Sequence, residues 1–190
     1  MKAHDNPFAS RYMDSLPYIP IGTDWERIMG GLKNQSGRGA VVGPKGTGKT
    51  TFLEELKRRL SMDGYTVHLL RLNQERKRPE KEEVRQICSG LDLQSAILLD
   101  GAEQLSRLGW ISFVFKTRKA GILVASSHSP GLLPTLLKTA ATPELLHILA
   151  NRLLPEDSPL EPEHSFRLFH ARNGNLRLAL MDLYDIWARR

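Results

Sequence analysis

Cys88 is the chain's one cysteine, so no disulfide can form within these 190 residues. No His or charge pair is obvious beside it, and it reads as a small buried hydrophobe in a protein of a reducing compartment. Long apolar runs are also missing. None reaches the roughly 20 residues that a membrane-spanning helix needs. The opening residues, MKAHDNPFASRYMDSLPY, have no uncharged apolar core and do not read as a secretory signal. These absences point to a cytoplasmic protein with no membrane partner. There is no internal repeat and no low-complexity tract, which excludes repeat arrays and composition-biased tails.

What is present is ordinary in bulk and specific in detail. Hydrophobic residues make up 41% and charged residues 25%, enough to bury a core in one domain, or one plus a small appendage. The net charge of +6 is basic enough to raise nucleic acid as a partner. The densest basic stretch, RLNQERKRPEKEEVRQ, is interleaved with Glu75, Glu80, Glu82 and Glu83. It reads as a solvated connection.

Along the chain, residues 5–22 carry three prolines and several aromatics and read as an extended, packed arm. Thr23 or Asp24 can cap a helix reaching about Asn34. Short apolar strands are expected at 40–42, in YTVHLLRL, in SAILLD and in GILVASS, with a fifth in PTLLKTA. SAILLD carries a continuous apolar run, as expected of a parallel strand buried on both faces. Helices are expected at 49–62, after Pro79, and through AEQLSRLGWISFVFKTRKA, although Gly109 and the cluster at 111–114 fit a helix poorly. From Thr142 onward three amphipathic helices follow, two of them opened by Pro143 and Pro162. Alternating strands and helices imply a parallel α/β sheet with helices on both faces. The expected division is a core with its N-terminal arm over 1–141 and a helical lid over 142–190.

The chemistry concentrates in GPKGTGKT. Gly43, Pro44, Lys45, Gly46, Thr47, Gly48, Lys49 and Thr50 match G-x-x-x-x-G-K-[ST] in full, between an expected strand and an expected helix. Glycines let backbone N–H groups curl around phosphate oxygens, and the helix N-terminus adds partial positive charge. Lys49 can reach the β- and γ-phosphates, and Thr50 can offer its hydroxyl to Mg²⁺. Thr51 follows as part of the same binding segment. Lys45 either adds charge near the γ-phosphate or faces solvent.

Asp100 ends the strand AILLD at the sheet edge where ligands bind, and reads as the second magnesium residue. Hydrolysis also needs a group that orients water, and Gly101 supplies none. Glu103, three residues on, is the first candidate. The same spacing equally predicts a capping-box acid in a helix capped by Asp100. Glu75, beyond the second strand, is the alternative base, and a slow switch with no base at all is the third option. Ser126, Ser127 and His128 end the fourth strand, where a polar side chain can contact a γ-phosphate or form an ordinary turn.

With these motifs, the chain resembles compact P-loop NTPases of the ASCE division, close to AAA+ ATPases. The resemblance implies ATP and Mg²⁺ as ligands and a five-stranded parallel sheet in the order 5-1-4-3-2 with a small helical lid. It implies a sensor role for the residues at 126–128. NGNLRLALMDLYDIW is similar to the sensor-2 helix of the AAA+ lid, which implies that Arg177 reaches the γ-phosphate. The NPF opening is similar to ATPases of transposition and secretion systems, and the resemblance implies that Tyr18 and Ile19 line the adenine pocket. The chain departs from the family where an arginine finger is usual: between Arg118 and Arg152 it has no Arg. That leaves the oligomer open. The expected function is a Mg-dependent ATPase acting as a nucleotide switch on a protein partner. The alternatives are a small-molecule kinase and a basic, DNA-associated adaptor.

Overall fold

Five short strands carry the apolar runs: β1 (Arg38–Val42), β2 (Thr66–Arg71), β3 (Ser95–Asp100), β4 (Ile122–Ser127) and β5 (Thr135–Lys138). They come from a computed structural model that describes residues 6–189. Asp5 of the expected arm and Arg190 of the last expected helix lie outside the described residues. Every strand pair is parallel, and the sheet order is β2-β3-β4-β1-β5. Taken from the other edge, this is the expected 5-1-4-3-2. β3 and β4 are buried along almost their whole length, which explains the continuous apolar runs at 96–99 and 122–125, without alternation.

The helices are α1 (Ser10–Met13), α2 (Trp25–Asn34), α3 (Lys49–Met62), α4 (Lys81–Ser89), α5 (Arg107–Lys116), α6 (Pro143–Leu153), α7 (Pro162–Ala171) and α8 (Leu176–Ala188). Their starts follow local chemistry. Asp24 accepts the Arg27 N–H at 2.8 Å, Ser106 accepts that of Gly109 at 3.1 Å and Thr142 accepts that of Leu145 at 3.1 Å.

The chain forms two compact units. The sheet unit contains residues 19–43 and 52–139; the second contains the N-terminal residues to Tyr18, residues 44–51 and the chain from Ala140 onward. In the sheet unit, Ile97, Leu99, Leu123 and Ala125 meet Phe113, Trp110 and Val114 of α5 and Ile87 of α4. Strand alternation turns Ala96, Leu98 and Val124 to the opposite face. In the same unit, Trp25 of α2 stacks on Phe52 of α3 at 5.1 Å. In the second unit, Leu146, Ala150, Phe169, Leu176, Ala179, Leu180 and Leu183 of α6–α8 are buried.

Two expectations change. The arm is not extended throughout, because residues 10–13 make one helical turn, α1. The helix expected directly after Asp100 does not begin there. Gly101 takes a left-handed conformation, a 3₁₀ turn covers Ala102–Gln104, and α5 starts only at Arg107.

Candidate functional site

The glycine-rich loop follows β1 and opens α3. Its backbone is set by Gly46, at φ +82°, where a Cβ would come within 2.0 Å of the Asn175 side chain. No L-residue fits this position without displacing that amide. The Pro44 carbonyl accepts two hydrogen bonds of 2.8 Å, from the Thr47 hydroxyl and from the Lys49 ammonium. Lys49 is 9% exposed. Its charge is therefore held inside the curl of the loop, over the N-terminus of α3. Lys45 is exposed, on the solvent side.

Helix α8 begins against this loop. Asn175 is its N-cap and accepts the Leu178 N–H at 3.2 Å. The Leu176 N–H donates to the Gly46 carbonyl at 3.2 Å. The sequence draws attention to Arg177 and passes over Asn175. A polar N-cap after a helix-ending glycine is the available signal, but nothing in the sequence names its neighbour. Arg177 lies on the exposed side of the first turn, 3.9 Å from the Asp14 carboxylate. Tyr18 is half-buried beside Gly48, and burial pushes its phenol up to about 12. Thr50 is exposed at the start of α3 and Thr51 half-buried.

In the sheet unit, three strands end together. The register pairs Val42 with Ser127 and Leu99 with Ala125, so Gly43, Asp100 and residues 126–128 share one edge. Ser126, 1% exposed, joins the strand tips. Its hydroxyl donates to Asp100 Oδ1 at 2.5 Å and accepts the Gly101 N–H at 2.9 Å. The Ser127 hydroxyl is turned away, donating to the Ser129 carbonyl.

The backbone dictates glycine at position 101. At φ +81°, a Cβ here would stand 2.4 Å from the Leu72 carbonyl oxygen. This backbone cannot hold a glutamate beside Asp100. The chain instead turns so that the Glu103 carboxylate lies 3.1 Å from His128 Nε2, while His128 Nδ1 is 3.4 Å from the Gly43 carbonyl. Glu103 and His128, separate candidates in the sequence, are thus a pair. Glu75 sits in an exposed turn, its N–H donating to Asn73 Oδ1 at 2.9 Å.

Ile19 is half-buried in the sheet unit. Three of the six cations of the basic connection are in ion pairs. Arg71 pairs with Glu54, Arg76 with Glu83 and Arg85 with Glu82. Among the described residues, no group of three or more His, Cys, Asp or Glu side chains could hold a metal ion, and no helix is long and apolar enough to cross a membrane.

The parallel order β2-β3-β4-β1-β5, with a glycine-rich loop between β1 and α3, is the fold of P-loop NTPases. Two solved structures of RuvB from Thermotoga maritima share it, at 16% sequence identity in both cases. One, a point variant, aligns over 83% of this chain and 56% of its own with a TM-score of 0.54. The other, described as a Holliday junction branch migration motor, aligns over 84% of this chain and 60% of its own with a TM-score of 0.55. The present chain thus spans less than two thirds of the length of either. No family model matches the sequence, and neither does any curated protein.

Proposed function

We propose that the chain binds ATP with Mg²⁺ and hydrolyses it, acting in the cytoplasm as a nucleotide switch on a protein partner. One observation carries the reading: a G-x-x-x-x-G-K-T loop with Lys49 buried inside its curl and α3 starting beneath it. The loop fits a triphosphate by its chemistry, since backbone N–H groups, a helix N-terminus and one ammonium all favour anionic oxygens. Gly43, Pro44, Lys45, Gly46, Thr47, Gly48, Lys49, Thr50 and Thr51 would hold the phosphates, and Tyr18 and Ile19 the base. Thr50 and Asp100 would serve the metal. A P-loop magnesium takes most of its ligands from nucleotide and water, so no protein cage is required. Bound there, Mg²⁺ would neutralise charge developing on the phosphates. Glu103 is the proposed water-orienting base, and Arg177 the lid residue assigned to the γ-phosphate.

The test is a titration with a fluorescent ATP analogue and Mg²⁺, followed by thin-layer separation of products. Wild type should bind and release phosphate from ATP alone, while Lys49→Ala should lose at least tenfold in affinity. Phosphate transfer seen only with an added acceptor would replace the ATPase reading with a kinase. DNA is the second candidate partner, favoured by the net charge of +6 and by the fold shared with a branch migration motor. Its signature is a DNA mobility shift that weakens steeply with salt; no shift at low salt removes it.

A further inference from the structure

The outer face of α5 is apolar where a surface helix is usually polar. Leu108, Ile111 and Phe115 are 79%, 63% and 64% exposed. They stand three and four residues apart. At about 100° per residue they fall within an arc of about 60° and form one stripe. The opposite face sends Trp110, Phe113 and Val114 into the sheet core. The stripe is therefore surplus to the fold, and polar residues would serve the helix as well.

The charges around it have one sign. Arg107 and Lys116 lie on α5 to either side of the stripe. Arg118 and Lys119 extend it past the C-terminus, with the Arg118 guanidinium 4.0 Å from the Phe115 ring centroid. All four are exposed. The sequence contains no Asp or Glu between Glu103 and Glu144. On neighbouring α4, Glu82 and Glu83 are already paired with Arg85 and Arg76. At the base of β3, Asp92 accepts from the Ser95 hydroxyl and the Gln94 N–H.

We propose that this face docks an acidic amphipathic segment of a partner protein, one that presents apolar side chains at helical spacing flanked by Asp or Glu. Apolar contact with the stripe supplies the affinity, and the basic rim supplies register and association rate. Two copies of this chain meeting through the same face would oppose Arg107, Lys116, Arg118 and Lys119 with themselves, which argues against a symmetric dimer here. Three side chains on a short helix bound to the core also make a poor anchor in a bilayer. The proposal does not depend on nucleotide binding.

The test uses the full chain and a fluorescein-labelled synthetic peptide. Its sequence places Leu at i, i+3, i+4 and i+7 between Glu residues, and a control peptide has the same composition scrambled. Anisotropy should show saturable binding at least tenfold tighter than the control. Replacing Leu108, Ile111 and Phe115 together by Gln should weaken it tenfold or more with circular dichroism unchanged. If that triple variant does not fold, Ile111→Gln read by hydrogen exchange across α5, with and without peptide, decides in its place. Arg107→Glu with Lys116→Glu should slow association and flatten its salt dependence. Equal binding of both peptides, or undiminished binding to the triple variant, would overturn the proposal. So would stripe-dependent binding to phosphatidylglycerol vesicles in place of the peptide, or a dimer in sedimentation that the triple variant abolishes.

Discussion

Gly101 follows the strand-ending Asp100, and its backbone explains why a glycine stands there. A left-handed φ and a Leu72 carbonyl 2.4 Å from any added Cβ make even Gly101→Ala costly. A left-handed non-glycine residue costs about 1–2 kcal/mol, and displacing a backbone carbonyl adds to it. We expect Gly101→Ala to lower the melting temperature by roughly 5–10 °C for a loss of about 2–3 kcal/mol, measured by thermal circular dichroism. Glu103 and His128 give a second expectation. In the proposed mechanism Glu103→Gln keeps nucleotide binding and stops turnover, whereas His128→Ala leaves the carboxylate in place but frees it to move. A fall in kcat with unchanged nucleotide affinity in both variants fits this. Undiminished turnover in Glu103→Gln moves the base to Glu75. Tyr18 supplies a pH dependence. Its phenol is pushed up to about 12 by burial, while an unfolded one ionises near about 10. Between these values the unfolded chain releases a proton that the native chain retains, so stability falls as pH rises through about 10–12. Urea unfolding at about pH 9 and about pH 11, on either side of the unfolded value, should show a smaller loss in Tyr18→Phe than in wild type.

At the scale of elements, what was legible had local causes. α3 begins and ends at the residues expected because the loop motif fixes its start and Asp63-Gly64 its end. β3 and β4 were legible because strands buried on both faces carry continuous apolar runs. α5 resisted for an equally physical reason. It is apolar on its inner and outer faces, so no single stripe marks a helix, and its Ser106 cap is displaced from the strand by the turn after Asp100. The start of α8 is half legible: NGNLRLALMDLYDIW marks the helix, whereas the Asn175 cap is passed over and its docking on Gly46 has no local signal. That contact can be tested by a cycle. Gly46→Ala meets two obstacles, a backbone at φ +82° and the Asn175 amide at 2.0 Å. Asn175→Ala alone should cost about 1 kcal/mol as a lost cap. Combining the two should cost less than their sum, because the amide obstacle disappears and the backbone strain remains. Strict additivity in urea unfolding would mean that Asn175 and Gly46 do not touch.

For the whole molecule, the instructive region is the chain's two ends. The arm could be read as packed because it combines prolines with aromatics, but its destination lies 178 residues away in sequence. No local pattern encodes such a partner. Asn6 is fully buried. It donates from its side chain to the Tyr184 carbonyl at 2.9 Å and accepts the Phe8 N–H at 2.9 Å. That short turn presents Phe8, 1% exposed, edge-on to the Trp187 ring at 6.4 Å. The arm and α8 belong to one compact unit, which also contains residues 44–51, so removing Phe8 should weaken the surroundings of the glycine-rich loop. Deleting a buried aromatic ring costs about 3–5 kcal/mol. We therefore expect Phe8→Ala to change Trp187 fluorescence and to expose α6–α8 to limited proteolysis, at temperatures where wild type resists. Tyr12→Ala, an exposed position on the same arm, should stay within about 0.5 kcal/mol of wild type. Equal sensitivity of the two variants would show that the arm's composition, and not the Phe8 contact, holds this end of the chain.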